Sequence, residues 1–372
     1  MKLTHTIITA LLFGSASSAF AIPQYQITDL GTLGGSSSRA YDINNNGDVV
    51  GRSRPMNQDG SNGTRSAFLY DNNQMQNLGN FGGSNTIARA TNMNQQVAGY
   101  SRLTDSTDYN AFLYENGTMK NLGTLGDGKL SYAYGINNQG QVVGHSHSNE
   151  SGTVSQAFIY QNNNMTGLGT LGGNSSAAFD INDQGIIVGT STTAGPTTIQ
   201  GFVYQNNTMT ALGSLDNTQY SEARAINNND QIVGYSLTDS GSYHAFLYEN
   251  GQMKDLSSIM DDSFAYDINE NGQVVGDYRS HLLESSGHAY LYENDTMHDL
   301  TSLLSAEDQG LWDLTSAYGI NDQGQIVGWG NIGGETHAYV LNAVPVPASL
   351  PLLFSALGFL GVFKNRTKFA RL

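Results

Sequence analysis

The sequence contains no cysteine, so neither disulfide bonds nor thiolate chemistry contributes to its structure or activity. Basic residues are also scarce, because 16 lysines and arginines face 32 aspartates and glutamates, for a formal net charge of −16. Five of the basic residues lie near the two ends of the chain. Without them, 11 basic residues remain against the 32 acidic ones, a net charge of −21. Such an acidic surface disfavours binding to nucleic acid and to anionic membranes.

Long apolar runs are missing as well, and none reaches the roughly 20 residues of a membrane-spanning helix. Residues 1–21 have the features of a secretory signal peptide: the positive charge of Lys2, the apolar segment Ile7 to Phe13, and Ala19-Phe20-Ala21 before a cleavage site. The alternative, an N-terminal membrane anchor, is disfavoured because the apolar segment is too short. We therefore expect the mature chain to begin at Ile22.

The rest of the chain is organised around a twelve-residue motif that starts at Ala40 with AYDINNNGDVVG. Seven copies occur, of which the second is degenerate, and they follow one another at intervals of 42 to 52 residues. A period of about 45 residues indicates a repeat architecture, and therefore one domain rather than the two or three that the length suggests. The copies end at the closing glycines Gly51, Gly99, Gly144, Gly189, Gly234, Gly276 and Gly328.

Each repeat predicts two β-hairpins. In the first, the polar turn Asn45-Asn46-Gly47 separates two apolar strands. In the second, a strand such as Ser66 to Tyr70 (SAFLY) precedes a polar turn and the strand Met75 to Leu78. The strands are apolar on both faces, which suits a small sheet packed between two neighbours. Four such antiparallel strands are typical of a β-propeller blade.

The two ends of the repeat region predict how it closes. The last repeat stops at Leu341 without a fourth strand, whereas the segment at residues 24–31 matches the fourth-strand segment Met119 to Gly123. We therefore predict an all-β, seven-bladed propeller over residues 22–342 that is closed by its N-terminal strand. Residues 343–372 would lie outside the ring as a C-terminal apolar helix. An open β-solenoid is the main alternative.

The combination of DLGTLGG, A-x-x-I-N-x-x-G-x-V-V-G and His244-Ala245-Phe246-Leu247-Tyr248 resembles the HAF-repeat family of predicted extracellular bacterial proteins. The resemblance covers residues 29–341. It implies a secreted repeat protein without a defined biochemical activity, and it brings no catalytic residues to this chain.

The C-terminal region resembles the PEP-CTERM sorting signal of Gram-negative bacteria: a proline-containing motif, the uncharged run Leu350 to Phe363, and a basic end. This sequence departs from that family at Val346, where glutamate is usual, so cleavage by the sorting protease stays open. The resemblance implies transient anchoring in the inner membrane, with the sorting protease as partner. The expected signal residues are Val344, Pro345, Val346, Pro347, Ala348, Ser349, Lys364 and Arg366.

Few residues suggest chemistry. The stretches that start at Asp42 and Asp267 resemble the first half of a calcium loop, with oxygen side chains at alternate positions and a following glycine, but lack an acidic residue at the twelfth position. A polar hairpin turn is the simpler interpretation, so we expect no cofactor while calcium stays open. His145 and His147 share a strand face without an evident third metal ligand.

Ligand-binding residues are predicted on the loop face of the propeller, where sequences vary most. The residue after each closing glycine varies, and aromatic side chains suit stacking against sugars or peptides. Packing between blades is the competing explanation for the two tryptophans. The candidates are Trp312, Trp329, Tyr100, His145 and Tyr235.

The predicted function is non-enzymatic: a secreted, surface-sorted, monomeric repeat protein that binds extracellular polysaccharide or protein in the cell envelope or matrix. The alternative is a propeller-type hydrolase acting on extracellular glycans. Such an enzyme needs non-repeating acids near the ring axis, and those strand positions are the most repetitive in the chain.

Overall fold

The computed structural model describes residues 24–195, 198–216, 218–257, 262–279 and 287–344. Within them, Tyr25–Val344 form one compact unit. The predicted signal peptide and the predicted C-terminal helix, with Lys364 and Arg366, lie outside the described residues. Of the predicted sorting motif only Val344 is described, and it ends the last strand.

Twenty-eight strands make up most of the described chain. The first thirteen, up to the end of repeat 3, are β1 (Gln24–Gly31), β2 (Gly34–Ile43), β3 (Val49–Pro55), β4 (Ser66–Asp71), β5 (Gln74–Asn77), β6 (Gly82–Thr91), β7 (Val97–Leu103), β8 (Tyr109–Glu115), β9 (Thr118–Asn121), β10 (Ser131–Ile136), β11 (Val142–His147), β12 (Ser155–Gln161) and β13 (Asn164–Gly167). The strands of repeats 4 to 7 are β14 (Gly172–Ile181), β15 (Ile187–Thr193), β16 (Ile199–Gln205), β17 (Thr208–Gly213), β18 (Ser221–Ile226), β19 (Ile232–Leu237), β20 (Tyr243–Glu249), β21 (Gln252–Asp255), β22 (Asp262–Ile268), β23 (Val274–Arg279), β24 (His288–Glu293), β25 (Thr296–Asp299), β26 (Trp312–Ile320), β27 (Ile326–Ile332) and β28 (Glu335–Val344).

Helix is nearly absent from the described chain. A 3₁₀ turn (Thr301–Leu303) and the one-turn helix α1 (Ala306–Gln309) lie between β25 and β26. The side chain of Ser305 caps α1 by accepting a hydrogen bond from the backbone of Asp308. Among the described residues, no helix has the length and apolar character to cross a membrane.

The strands of each repeat pair antiparallel in chain order. Repeats 2, 5 and 6 form separate four-stranded sheets. A single parallel pair, Ser155 with Ser175, joins repeats 3 and 4, and another, Ser37 with Thr336, joins repeats 1 and 7. Repeat 7 has three strands of its own, and β1 pairs with the last of them, β28. The prediction of an all-β chain built from four-stranded antiparallel sheets is confirmed.

An alanine, the closing glycine and an aromatic residue lie next to one another on three adjacent strands and form an apolar row. In repeat 1, Ala40 pairs with Gly51, which pairs with Phe68. A Cβ atom on Gly51 would lie 2.0 Å from the carbonyl oxygen of Arg39 and 2.8 Å from the ring of Phe68. Ala40 and Phe68 are fully buried. The closing glycine is therefore required because a Cβ atom there would clash with the carbonyl oxygen of the first strand and, in repeat 1, with the aromatic ring of the third strand.

The histidine of the HAF triplet connects the third strand to the fourth. The Nδ1 atom of His244 on β20 lies 2.8 Å from the carboxylate of Asp255 on β21. His337 on β28 makes the same contact, also at 2.8 Å, with Asp29 on β1. Strand β1 therefore takes the place beside β28 that β21 takes beside β20.

The described core consists of seven apolar clusters, and each cluster joins two repeats. One of them brings repeat 7 against repeat 1, because Val327 and Ala338 pack with Phe68 and with Leu30 of β1. Apolar burial between sheets thus contributes most of the stability that holds consecutive repeats together.

One asparagine in each motif shapes its own hairpin. In repeat 1, Oδ1 of Asn44 accepts hydrogen bonds from the backbone nitrogens of Asn46 (2.9 Å) and Asp48 (3.0 Å). Gly47 completes the turn with a φ of +85°, which a residue with a side chain rarely adopts. The predicted polar turn is present, and the asparagine before it is the residue that fixes its shape.

The same asparagines also link neighbouring repeats. The Nδ2 atom of Asn44 donates to the carbonyl oxygen of Asn92 at 2.8 Å, and each later asparagine donates to the next. Asn321 in repeat 7 donates back to the carbonyl oxygen of Asn44 at 3.1 Å. All seven side chains are buried. We call this set the asparagine circle: Asn44, Asn92, Asn137, Asn182, Asn227, Asn269 and Asn321.

Candidate functional site

The residue after each closing glycine points away from the repeat's apolar row and differs from repeat to repeat. In repeat 3 this residue is His145, which pairs with Tyr132 on the first strand and with Ala157 on the third. The third-strand partner is alanine or glycine in every repeat, which leaves space beside the longer side chain. We call these seven positions the post-glycine residues: Arg52, Tyr100, His145, Thr190, Tyr235, Asp277 and Trp329.

Four post-glycine residues carry a buried polar atom without a hydrogen-bond partner in the described part of the chain. The atoms are His145 Nδ1, Thr190 Oγ1, Asp277 Oδ1 and Trp329 Nε1. Buried polar atoms in native proteins are nearly always hydrogen bonded. These atoms recur at one position of four repeats, but each is buried, so they identify the position without being accessible to a ligand themselves.

The first aromatic patch lies on repeats 2 and 3 and consists of Tyr100, Tyr109, Tyr132, Tyr134 and His145. The rings of Tyr132 and His145 stack with their centroids 5.0 Å apart, and Tyr100 meets Tyr132 edge-on at 4.8 Å. Burial, with a smaller effect from nearby His147, lowers the pKa of His145 to about 4. The imidazole is therefore neutral at neutral pH and acts as an aromatic and hydrogen-bonding group rather than as a charge.

The second aromatic patch lies on repeats 5 and 6 and consists of Tyr220, Tyr235, Tyr243 and Phe264. Tyr235 contacts Phe264 at 4.9 Å and Tyr243 at 5.8 Å between ring centroids. Its hydroxyl oxygen accepts a hydrogen bond from Arg224 at 3.0 Å. Burial nevertheless raises the pKa of Tyr235 to about 12, so the hydroxyl stays protonated.

Repeat 4, between the two patches in chain order, carries only small side chains at the same positions, Ala177 and Thr190. In repeat 7 the ring of Trp329 is covered by the guanidinium group of Arg39, 3.9 Å from the ring centroid. The aromatic side chains at the post-glycine positions of repeats 2 and 3 are thus separated from that of repeat 5 by Thr190 in repeat 4, and separate flat faces of this kind suit an extended ligand.

The structure distributes the five predicted ligand residues unequally. Tyr100 and His145 lie in the first aromatic patch and Tyr235 in the second, while Trp329 lies under Arg39. Trp312 is 5% exposed and belongs to the core, where its ring meets Tyr339 edge-on at 6.2 Å. It therefore presents no face to a ligand, and blade packing, the competing explanation, describes its position.

Sequence reasoning missed the first-strand partners of the post-glycine residues, Tyr132 and Phe264 among them. The residue before the motif's first alanine is as variable as the one after its closing glycine. Residues paired across two strands lie about 5 Å apart on the same face. The variability that both positions share therefore indicated that they belong to one surface.

Two adjoining cavities of about 190 and 240 Å³ are lined by the first strands of all seven repeats. Three carboxylates line both: Asp42, Asp180 and Asp267. Burial raises the pKa of Asp42 to about 7 and raises the pKa of the other two in the same direction.

These carboxylates connect neighbouring repeats. Asp42 accepts hydrogen bonds from its own neighbour Ile43 (2.8 Å) and from Thr91 in repeat 2 (2.7 Å). Asp180 and Asp267 bind the backbone of repeats 4 and 5 and of repeats 6 and 7 in the same way. Both oxygens of each carboxylate are engaged by backbone N–H groups, which gives all three a structural role.

Cationic and aromatic side chains line the larger of these two cavities. The guanidinium groups of Arg89 and Arg224 lie 4.5 Å and 4.3 Å from the ring centroids of Tyr41 and Phe179. Tyr266 and Tyr318 stack face to face at 4.5 Å. This packing fills the first-strand surface with cation–π and stacking contacts.

The calcium-like stretches use their oxygen atoms within the chain. Asp42 and Asp267 accept backbone hydrogen bonds between repeats, and Asn44 closes its own turn. Within the described ranges, no group of three histidine, aspartate or glutamate side chains could hold a metal ion. The geometry of these segments is that of a hydrogen-bonded hairpin turn.

Sequence similarity to a known family covers only part of the chain. A family model described as a protein of unknown function, DUF3466, matches residues 169–261, a region that spans repeats 4 and 5. No curated protein matches the chain in sequence.

Comparison with solved structures identifies the fold. The β-propeller domain of the Trilobed protease from Pyrococcus furiosus is similar with a TM-score of 0.53 and 8% identity, over 84% of this chain and 99% of that domain. A puromycin-hydrolysing peptidase from Mycobacterium tuberculosis is similar with a TM-score of 0.55 and 11% identity, over 82% of this chain. The acylaminoacyl peptidase of Pyrococcus horikoshii is similar with a TM-score of 0.54 and 9% identity, over 86% of this chain.

The chain spans only 50% and 54% of these two peptidases. At such low identity the likeness shows the fold alone. The chain thus has an all-β architecture of the propeller type, and its activity has to be inferred from its own residues.

Proposed function

We propose that the repeats form a closed seven-bladed propeller in which β1 is the fourth strand of the last blade. Three observations support this arrangement: β1 pairs with β28, the His337–Asp29 contact repeats the His244–Asp255 contact, and the asparagine circle returns from Asn321 to Asn44. Closure of this kind leaves no open sheet edge for pairing with other chains.

We further propose that the protein is a secreted, non-enzymatic binding protein that recognises an extracellular polysaccharide through its post-glycine surface. The observation that carries this proposal is the pair of aromatic patches at the post-glycine positions, with Tyr100, Tyr132 and His145 in one and Tyr235 and Phe264 in the other. Saccharides offer flat apolar faces that stack on such rings. The acidic surface disfavours nucleic acid as the ligand.

The first prediction is that residues 22–344 bind one class of glycan, and that replacing Tyr100 and Tyr235 together by leucine weakens this binding at least tenfold. Leucine keeps apolar volume while it removes the stacking face and the hydroxyl group. Binding would be screened on a glycan array and then measured by calorimetry. The control is Leu311→Ser, which changes an apolar side chain that is 56% exposed elsewhere on the chain.

Equal binding by the double variant and the native protein would place the binding surface elsewhere. The absence of binding to any glycan on the array would contradict the proposal itself.

A glycan hydrolase is the second candidate, and one observation favours it: Asp42, Asp180 and Asp267 share a cavity and have raised pKa values, as acid catalysts do. Their backbone hydrogen bonds argue for the structural role instead. Release of reducing ends from the bound polysaccharide, and its loss in Asp267→Asn, would establish hydrolysis.

We propose for the ends of the chain that residues 1–21 direct export and that residues 343–372 act as a PEP-CTERM-like sorting signal. The resemblance to the HAF-repeat family and the order of proline motif, apolar run and basic end support this proposal. The protein would then act at the cell surface or outside the cell.

The second prediction is that residues 343–372, fused to an unrelated exported reporter, retain that reporter in the membrane fraction of a host without the sorting protease. Replacing Lys364, Arg366, Lys368 and Arg371 with serine should weaken retention, because basic residues hold the end on the cytoplasmic side. In a host that recognises the motif, a shortened reporter should appear in the medium. Release of the intact reporter by both hosts would refute a sorting role.

A further inference from the structure

Four of the eleven basic residues between positions 22 and 344 surround one cavity of about 170 Å³ where repeat 1 meets β28 of repeat 7. They are Arg39 on β2, Arg52 and Arg54 on β3, and Arg65 at the end of the loop before β4. Serine and threonine side chains complete the lining. In a chain this poor in cations, the grouping of four guanidinium groups around one cavity requires a physical reason.

None of these four guanidinium groups makes a hydrogen bond or an ion pair with any described residue. Other arginines of the chain do: Arg102 donates to the carbonyl oxygen of Ser106 at 2.6 Å, and Arg224 lies 2.9 Å from Glu222. An arginine has five N–H donors. Arg39, Arg52 and Arg54 are half-buried and Arg65 is exposed, and none of the four has a buried nitrogen without a partner. The four arginines therefore present a full set of unused donors to one space.

The four positive charges also repel one another. Desolvation lowers the pKa of Arg52, and the neighbouring charges of Arg65 and Arg39 add to that decrease. Arg39 and Arg52 are directly opposite each other on β2 and β3. Like charges in that position destabilise a sheet. Without an anion, the cluster costs the fold free energy, so folding alone does not explain it.

Neighbouring contacts hold the cluster in place. Arg39 lies flat on Trp329 at 3.9 Å. The loop that leads to Arg65 is fixed at its base, because the Oδ1 atom of Asn62 accepts a hydrogen bond from Ser36 at 2.8 Å and Gly63 donates to the carbonyl oxygen of Pro55 at 2.7 Å. Donors that are positioned before binding lose less entropy when a ligand arrives.

We propose that Arg39, Arg52, Arg54 and Arg65 form an oxyanion-binding site, which takes the carboxylate of a uronic acid or a free inorganic oxyanion. Guanidinium groups match planar carboxylates with paired hydrogen bonds, and they bind phosphate and sulfate by the same chemistry. The strongly acidic remainder of the chain repels a long polyanion, so the site fits one anionic group at a time.

The site includes the post-glycine residue Arg52, so for its biological ligand the inference rests on the proposed polysaccharide binding. A uronic acid within the polysaccharide would place its carboxylate here while neighbouring sugars contact Trp329 and the aromatic patches. The chemistry of the site does not depend on that role, and it can be measured with small anions.

The third prediction is tested on the complete exported protein in a chloride buffer. Calorimetry would measure the binding of sodium glucuronate, glucose, phosphate and sulfate, and thermal unfolding would measure stabilisation by each. We expect glucuronate to bind and glucose, which lacks the carboxylate, to bind at least tenfold more weakly. Binding of phosphate or sulfate without glucuronate would assign the site to a free inorganic oxyanion.

The test variants are Arg52→Gln and Arg54→Gln, and each should weaken anion binding at least tenfold. The matched control is Arg102→Gln, since Arg102 occupies in repeat 2 the position of Arg54 in repeat 1 but already has protein partners. In the absence of anion, Arg52→Gln should unfold at the same temperature as the native protein or at a higher one, because it relieves repulsion. A structural role for Arg52 would instead lower that temperature.

Two outcomes would overturn the proposal: no binding of any of the three anions at 10 mM or below, or equal binding by the native protein and both test variants. Neither decides the proposed function, because the glycan array tests that separately with neutral saccharides. Conversely, anion binding without any polysaccharide binding would support this site and contradict the proposed function.

Discussion

Removal of residues 24–31 is expected to abolish cooperative folding of the remaining chain. Strand β1 inserts the buried side chains of Tyr25 and Leu30 into two clusters of the core. Burial of a side chain of that size is worth about 1.5–3 kcal/mol, and native proteins are stable by only about 5–15 kcal/mol. The deletion also removes the partner of β28 and the contact between Asp29 and His337.

The measurement compares chains that start at residue 22 and at residue 32 by calorimetry and by light scattering. The longer chain should show one sharp transition and stay monomeric. The shorter chain should show a broad transition and aggregate, because the edge of β28 is open for pairing with other molecules. The double substitution Gln26→Ala and Thr28→Ala is the control, since both side chains are exposed on the same strand. A sharp, unshifted transition for the shorter chain would refute closure by β1.

Replacement of Asn227 by alanine is expected to lower the free energy of unfolding by about 3 kcal/mol. Its Nδ2 atom donates to Asn269 O (3.0 Å) and Gln231 Oε1 (2.8 Å), and its Oδ1 atom accepts from Asn229 and Gln231. Alanine removes all four bonds. The carbonyl oxygen of Asn269 keeps the N–H group of Gly272, whereas the part-buried N–H groups of Asn229 and Gln231 lose the oxygen that accepts from them. Each such group costs about 1–3 kcal/mol.

Two further variants at this turn separate the possible causes in urea unfolding. Asn227→Asp keeps the accepting oxygen but places a second oxygen against the carbonyl oxygen of Asn269, so it should destabilise at least as much as alanine. Asn228→Ala removes one exposed hydrogen bond, which the backbone nitrogen of Asp183 donates to the Asn228 side chain, and should change the free energy of unfolding by less than about 1 kcal/mol. If Asn227→Ala proved as mild as Asn228→Ala, the asparagine circle would contribute nothing to stability.

The repeated residues made the sheets predictable, because periodicity reports secondary structure directly. The apolar strands and polar turns of the repeat placed β4 and β5 within one residue of their observed bounds, whereas β2 begins at Gly34, six residues before the motif's first residue, Ala40. The asparagine that precedes each turn, Asn44 in repeat 1, was predicted only as the end of the first strand. Its bond to the next repeat joins atoms about 45 residues apart, and no local pattern carries that information.

The candidate site was harder to predict from the sequence, because it depends on which strands lie next to one another in the fold. Tyr100, His145 and Tyr235 were singled out for their position after the glycine. The contact of His145 with Tyr132 follows from strand register, whereas Tyr100 reaches Tyr132 and Tyr235 reaches Phe264 across neighbouring repeats. Trp312 was predicted to bind because it stands in the longest connection. The structure folds that connection against Tyr25 and Leu304, and this long-range packing buries the ring.

The asparagine circle and the post-glycine residues lie at different positions of the same hairpin, so that the frame and the proposed recognition surface are encoded separately. Each asparagine is bonded to its own turn and to the asparagines of the two neighbouring repeats, irrespective of the side chain that follows the closing glycine. Mutation can therefore exchange one post-glycine residue at a time while the geometry that presents it persists. The seven positions are nearly equivalent in structure but carry different side chains. Duplication of the repeat multiplies the position, and point mutation changes the chemistry at each copy. A designer could use the same property by randomising these seven codons and leaving every motif residue unchanged.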